Sequence, residues 1–451
     1  MSDALDAVVK AYDVRGVVGE QLTASLLYDL GAAAADELAD GGPFLIGRDM
    51  RASSPELAGA FARGLQDRGI DVIDLGLCST DLVTYASGEL GAAGAMFTAS
   101  HNPARYNGVK LCRAGAVPVA IDTGLGALVD RIRAGLPGPV PALARGSRTE
   151  RDLLEVFAAH VRSFVDVDVL TPVEVVVDAG NGMAGHVWPA VVAGLPITTI
   201  PLYFELDGDF PNHPADPLDP ANLVDLQRTV REGGHALGLA FDGDADRVFA
   251  VDETGRPVSS SLIGAVVAAR LLERDPGATV LHNLICSRVV AETVRAHGGT
   301  PVRTRVGHSF IKQRMAETGA IYAVEHSGHF YFRDHHRADS GLVAALVLLE
   351  AVAEAGAPLS EVIAPYDRYP SSGERNFTVD DPTAVIEAVA EAFAERGAAD
   401  REDGLTVVTD GGWFNLRASN TEPLLRLNVE GDDDAALARL LDEVTGLLRA
   451  S

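Results

Sequence analysis

Short apolar runs alternate with longer stretches of helical periodicity through the first four-fifths of the chain. Residues 43–47 (PFLIG) read as a buried strand. Ser54-Pro55 then supplies an N-cap and a proline at the first helical position, and Leu57, Phe61 and Leu65 share one helical face before Gly69 ends the helix. Residues 70–75 form the next strand, which completes a strand–helix–strand unit. A comparable unit is predicted from a strand over 173–178, the glycine-rich GNGMAG and a helix, with a further helix over 222–232 and a strand over 235–241. A third combines a helix over 262–273, a strand over 279–284, a helix over 287–297 and a strand over 301–304. After Tyr369–Gly373 (YPSSG) the pattern changes to a strand near 375–379, a helix near 383–394, strands near 405–409 and 424–429, and a closing helix over 435–448.

The fold class expected is therefore α/β, with three similar mixed α/β domains and a smaller C-terminal α+β domain. The proline- and glycine-rich 134–146 (AGLPGPVPALARG) and YPSSG read as linkers, and the turn DETGRP marks the boundary between the second and third units. The expected domains are 1–145, 146–252, 253–368 and 369–451. A length of 451 residues agrees with several domains of about 150 residues each.

Charge narrows the function. Lys and Arg number 37 against 64 Asp and Glu, a net −27 with no basic stripe, so a nucleic-acid partner is not expected. Cys78, Cys112 and Cys286 are odd in number, form no CxxC pattern and suit a reducing compartment. The stretch 187–204 is apolar, but Pro189, Gly194, Pro196 and Pro201 interrupt it, so no membrane span is expected. The N-terminal MSDALDAVVK has no signal-peptide pattern, and the expected location is the cytoplasm. Lysine occurs only at positions 10, 110 and 312, so a lysine inside a motif is informative.

Four segments carry chemistry. Thr98-Ala99-Ser100-His101-Asn102-Pro103 follows a small-residue strand, which places Ser100 where α/β sheets bind ligands. Asn102-Pro103 and Asn107-Gly108 are turn formers that present the serine on a tight loop; an ordinary Ser/Asn-rich turn is the alternative. It is not a GxSxG elbow. Asp242-Gly243-Asp244-Ala245-Asp246-Arg247 places three carboxylates after an apolar strand, a costly arrangement unless a cation neutralises them. Oxygen ligands favour Mg²⁺ or Ca²⁺, but Arg247 stands where an EF-hand needs glycine. A solvated acidic turn is the alternative. Three carboxylates and one dication leave −1, which Arg247 can offset.

The third segment pairs Gly307-His308-Ser309-Phe310-Ile311-Lys312 with Glu325-His326-Ser327-Gly328-His329, donors and acceptors suited to sugar hydroxyls. Structural histidines are the plainer reading, and no HExxH zinc pattern is present. In the fourth, Arg417-Ala418-Ser419-Asn420-Thr421-Glu422-Pro423 with Arg426 offers guanidinium, hydroxyl and amide groups for a phosphate dianion; a capped turn is the alternative.

Together with Tyr12-Asp13-Val14-Arg15-Gly16 and Asn107-Gly108-Val109-Lys110, these motifs in this order resemble the α-D-phosphohexomutase family over nearly the whole chain, most closely its bacterial phosphomannomutase/phosphoglucomutase branch. The resemblance implies four domains around a central cleft. It also implies interconversion of hexose 1-phosphate and hexose 6-phosphate through a phosphoserine and a hexose 1,6-bisphosphate, which serves as intermediate and activator. By the same resemblance Ser100 is the phosphoryl carrier, and Asp242, Asp244 and Asp246 hold Mg²⁺ together with it. Arg247 lies beside that phosphate, and Arg15, Lys110, His308 and His329 lie near the reacting hydroxyl. Glu325 and Ser327 contact the sugar, while Arg417, Ser419, Asn420 and Thr421, with Arg426, clamp the distal phosphate. The expected partners are small hexose phosphates, with no nucleic acid or membrane, and the chain acts as a monomer or homodimer. Ala323-Val324 and His326 depart from the family pattern and leave the sugar preference open. Phosphoglucosamine mutase, a metal-dependent sugar-phosphate phosphatase and a non-catalytic sugar-phosphate-binding protein are the competing readings.

Overall fold

The computed structural model describes residues 2–418 and 424–450. Contacts group the chain into two compact units, 1–259 with 327–362, and 260–326 with 363–451.

The first unit contains two mixed sheets. One runs, in spatial order, Val14–Val17, Tyr106–Arg113, Ala93–Phe97, Phe44–Arg48, Val72–Leu77 and Arg148–Glu150, with the last four parallel and the first two antiparallel to their neighbours. Phe61, on helix Ser54–Asp67, fills the core edge-to-face with Phe44 and Phe97, its ring centroid 5.7 and 5.5 Å from theirs. The second sheet orders Pro257–Val258, Val248–Asp252, Leu237–Phe241, Val173–Asp178 and Ile197–Leu202. The DETGRP turn closes a hairpin, because Pro257 and Val258 pair antiparallel with Val251 and Ala250. The strands Phe330–Phe332 and Ala338–Asp339 pair antiparallel and lead into helix Gly341–Ala355.

One local expectation fails. Ser54 does not cap its helix: Ser53 occupies the N-cap position, without a side-chain capping bond, and Ser54 is the first helical residue. The Ser54 hydroxyl instead donates to Asp49 Oδ1 at 2.6 Å. A buried carboxylate competes for the hydroxyl more strongly than a helix N–H does.

In the second unit, parallel strands Thr300–Thr304, Thr279–Asn283 and Tyr322–Val324 pack with helices Ser260–Arg274, Arg288–Ala296 and His308–Thr318. The C-terminal part is an antiparallel sheet ordered Ser371–Phe377, Leu425–Gly431, Gly412–Ala418, Leu405–Thr409 and Gly397–Asp400, covered by Pro382–Ala392 and Asp434–Ala450. Val389, Phe393, Phe414, Leu427 and Val444 form its core. The strand Gly412–Ala418 goes unrecognised in the sequence: Phe414, Leu416 and Ala418 alternate with Asn415 and Arg417 over only five residues, and six successive residues are buried, the polar ones included. The architecture is three α/β parts and a C-terminal α+β part. Among the described residues no helix is long and apolar enough to cross a membrane.

Candidate active site

Ser100 follows strand Ala93–Phe97 and has φ +49, a left-handed conformation unusual for a residue other than glycine. Its amide donates to Thr98 Oγ1 at 2.9 Å, and its hydroxyl donates to Asp242 Oδ2 at 2.7 Å. Asp242 in turn follows directly on the buried strand Leu237–Phe241. The two loops touch through Gly243: a Cβ there would lie 2.4 Å from the Ser100 carbonyl oxygen, so a side chain cannot be accommodated.

Asp242, Asp244 and Asp246 are each no more than 1% exposed. Oxygens of the three lie within 4.8 Å of one another. The Arg247 Nε donates to Asp242 Oδ2 at 2.9 Å, and its backbone N–H donates to Asp242 Oδ1 at 3.2 Å. Lys110, on strand Tyr106–Arg113, donates to Asp244 Oδ2 at 2.7 Å and Asp246 Oδ2 at 2.6 Å. Thr80 donates its hydroxyl to Asp244 Oδ2 at 2.6 Å.

These partners divide the carboxylates electrostatically. Burial, and then the charges of Asp246 and Asp244, push Asp242 up to about 8 against the pull of Arg247. Burial opposes ionisation of Asp244 too, but the charge and hydrogen bond of Lys110, with Thr80 and Arg247, hold it well below the usual carboxylate range. Burial also disfavours charge on Lys110, and Asp244 and Asp246 more than reverse this, so it is held as an ammonium.

The residues fit a hard divalent cation. Oδ1 of Asp244 and Oδ1 of Asp246 are buried and have no hydrogen-bond partner among the described residues. Unpartnered buried oxygens in an all-oxygen donor set are what such an ion requires. A second grouping, Asp246, His329 and Asp339, shares Asp246 with the first.

Arg15 donates to Asn102 Oδ1 and Asp13 Oδ2, both at 2.5 Å, which fixes it at the rim of the serine loop. The His329 backbone bridges to Arg247. The His329 Nε2 lies 3.7 Å from Asp246 Oδ1 and 3.8 Å from Asp339 Oδ2, and its Nδ1 lies 2.9 Å from Ser327 Oγ. The first unit thus gathers Ser100, the three aspartates, Arg15, Lys110, Arg247, Ser327 and His329.

In the second unit Glu325 is buried and accepts from the Gly307 N–H at 3.1 Å and from Asn283 Nδ2 at 3.4 Å. The 307–312 and 325 segments that the sequence singled out therefore meet. His308 is the first residue of helix His308–Thr318. Arg417 and Arg426 face each other across paired strands, and Glu374 lies 3.6 Å from Arg417 Nη2 and 3.2 Å from Arg426 Nη1. Ser419, Asn420 and Thr421 lie outside the described residues.

Sequence reasoning passed over several neighbours. His101, inside the serine motif, accepts from Arg247 Nη2 at Nδ1 (2.5 Å) and faces Ser100 Oγ at 3.3 Å. Burial, then Arg247 and Arg15, push its pKa well below the usual histidine value, so the ring is neutral. Its place within the motif was the available signal. Thr80, Asp81, Asp339 and Glu374 belong to no motif, and nothing in the sequence marks them.

Comparison with known proteins agrees with this arrangement. Models of the phosphoglucomutase/phosphomannomutase alpha/beta/alpha domains I, II and III match residues 6–134, 155–255 and 259–369, and the C-terminal domain of that family matches 374–447. A phosphomannomutase of Salmonella montevideo is 41% identical over 438 residues, 95% of each chain. The phosphomannomutase/phosphoglucomutase of Pseudomonas aeruginosa PAO1 is 38% identical over 451 residues, covering 98% of this chain and 96% of the relative. The crystal structure of a phosphoglucomutase/phosphomannomutase family protein from Burkholderia thailandensis superposes with a TM-score of 0.87 at 32% identity, covering 98% and 97% of the two chains. Architecture, serine loop and acidic triad together define a phosphohexose mutase, an isomerase whose substrates are hexose phosphates. The chain belongs to the phosphoglucomutase/phosphomannomutase family.

Proposed function

We propose that Ser100 carries the transferred phosphoryl group, and that the enzyme interconverts the 1- and 6-phosphates of glucose and mannose through the hexose 1,6-bisphosphate. The observation that carries this reading is the Ser100 hydroxyl, held on a left-handed loop 2.7 Å from Asp242 with Arg247 Nη2 at 3.4 Å. The Oγ–phosphorus bond breaks as the sugar hydroxyl oxygen bonds to phosphorus, and the hydroxyl proton passes to a base for which His308 and His329 are the candidates, with Arg15 and Lys110 as cations near the reacting hydroxyl. The bisphosphate then presents its other phosphate, which returns to Ser100. Such transfers depend on alignment and charge neutralisation more than on covalent machinery.

The metal we assign is Mg²⁺, held by Asp242, Asp244, Asp246 and Ser100; bound there, it withdraws charge from the phosphoryl oxygens. Arg247 offers a guanidinium beside Ser100 Oγ, and neutral His101 keeps that guanidinium aimed by accepting from it. Glu325 and Ser327 are assigned to the sugar hydroxyls, and Arg417, Ser419, Asn420, Thr421 and Arg426 to the second phosphate. We place the reaction in the cytoplasm, in a monomer or homodimer that needs neither nucleic acid nor membrane. The domains that carry it are assigned to residues 1–145, 146–252, 253–368 and 369–451.

The test supplies glucose 1-phosphate, or mannose 1-phosphate, with a trace of the corresponding 1,6-bisphosphate and Mg²⁺. Formation of the 6-phosphates, lost in Ser100→Ala and with chelator, is expected. Release of inorganic phosphate instead identifies a phosphatase, and a fully active Ser100→Ala enzyme removes the proposed carrier.

A further inference from the structure

Arg51 stands outside every motif, yet it is 1% exposed and lies directly beneath the serine loop. Its Nε donates to Asp49 Oδ2 at 3.1 Å. Nη1 donates to the carbonyl oxygens of Pro103 and Tyr106 at 3.0 and 3.1 Å, and Nη2 to those of Ser100 and Asn102 at 2.9 and 2.7 Å. One planar fork thereby holds four carbonyls of a single loop.

The fork is itself fixed. Asp49 accepts from the Arg51 N–H at 3.0 Å and from the Ser54 hydroxyl at 2.6 Å, and Asn107 donates to Ser54 Oγ at 3.0 Å. The Phe210 ring covers the guanidinium, whose carbon lies 5.0 Å from the ring centroid. Gly208 is pressed so close that a Cβ there would lie 2.6 Å from Arg51 Cα. Ser100 and Phe210, above and beside the guanidinium, both have positive φ, +49 and +51. Residues held in that region persist only where their surroundings over-determine them.

We propose that Arg51 is a positioning residue for phosphoryl transfer: it holds Ser100 in its left-handed conformation by binding the Ser100, Asn102, Pro103 and Tyr106 carbonyls, and so aims Oγ for in-line transfer. The inference rests on the reading that Ser100 is the phosphoryl carrier. Arg51 reaches only main-chain oxygens of the loop, so its influence falls on the geometry of Oγ and not on capture of the sugar. Lysine keeps the charge opposite Asp49 but cannot reproduce a rigid five-donor fork.

The experiment compares wild type, Arg51→Lys and Phe210→Leu; the last loosens the guanidinium without removing a hydrogen bond. Each protein is incubated with glucose 1,6-bisphosphate and Mg²⁺, and the rate of phosphate uptake at Ser100 is followed by intact mass and peptide mapping. Steady-state kinetics with mannose 1-phosphate and hydrogen exchange of amides 99–107 accompany it. In Arg51→Lys, uptake at Ser100 and kcat should fall by about 10- to 100-fold while KM stays within about threefold, because misalignment costs rate and not binding. Exchange should quicken in the loop alone, and Phe210→Leu should show a smaller change of the same kind even if the lysine variant folds poorly. Wild-type uptake in both variants overturns the positioning role, as does a loss confined to KM. Stable labelling of wild type at another residue removes the reading of Ser100 itself, and the proposal with it.

Discussion

Asp81 lies in the first turn of helix Thr80–Leu90, fully buried, and accepts hydrogen bonds from the Ser79 hydroxyl and, at 2.6 Å, from the Ser340 hydroxyl. Burial pushes its pKa up to about 7; the two hydroxyls pull it down, and the charges of Asp246 and Asp339 push it up again. In the unfolded chain the group titrates near its ordinary 3.8. Between these values the folded protein holds a proton that the unfolded chain has released, so stability falls as pH rises from about 4 to about 7 and levels off above. At about 1.4 kcal/mol per pH unit, the whole loss is about 4 kcal/mol.

Asp81→Asn removes this slope and keeps the shape, since a serine hydroxyl can turn to accept from the amide. Relative to wild type, the variant should gain about 2 kcal/mol between about pH 5.5 and about pH 8. Of the two tryptophans, Trp188 is buried in the first unit and Trp413 lies in the second. Denaturant unfolding followed by Trp188 fluorescence in a Trp413→Phe background therefore reads the relevant unit, with chelator present so that no divalent cation offsets the charge. Wild-type and variant curves that run parallel across this pH range would mean Asp81 is ionised throughout, and the argument from burial would be wrong.

Lys110→Met leaves Asp244 and Asp246 without their ammonium, and in chelator should cost the first unit about 3–5 kcal/mol, a penalty that millimolar Mg²⁺ reduces; an equal loss with and without Mg²⁺ would show that the carboxylates do not share that cation. Glu325→Ala should lower kcat/KM for glucose and mannose 1-phosphates by similar factors, since contacts made by one buried acceptor are worth about 1–3 kcal/mol whatever the configuration at C2. A wild-type preference above about a thousandfold between the two sugars, roughly 4 kcal/mol, would show that C2 is read directly.

The strand Val173–Asp178 and the helix over Leu57, Phe61 and Leu65 were legible because apolar periodicity and punctuation by Gly and Pro are local properties. The strands Gly397–Asp400 and Gly412–Ala418 were not: the first is short and alanine-rich, and in the second the alternation of Phe414, Leu416 and Ala418 with Asn415 and Arg417 spans only five residues and runs into the Arg417 motif. Ser100 and the aspartates were legible because the role proposed for them, phosphoryl transfer, needs particular side chains at fixed spacing. Arg51 was illegible for the opposite reason. It binds main-chain oxygens, which every residue carries, so nothing in the sequence names its partners. Likewise Glu374 joins two arginines already legible, but only strand pairing brings it there.

Charge connects the buried network to catalysis. Around the serine loop, Asp242, Asp244 and Asp246 face two cations, Arg247 and Lys110, a local balance of −1 when all are ionised. A bound dication turns that to +1, a sign able to attract a phosphate dianion into a protein whose net charge is −27. An ionised Asp81 would return the balance to zero, because its carboxylate is close enough for Asp246 to raise its pKa. The two serine hydroxyls on Asp81 satisfy its oxygens without supplying positive charge, whereas Oδ2 of Asp244 receives both a hydroxyl and an ammonium. The difference between a neutral carboxyl and an anionic one is thus set by the partner each receives. Below its pKa of about 7 the serine-bound Asp81 is neutral and leaves the balance at +1, whereas an ionised Asp81 with only hydroxyl partners would cancel it.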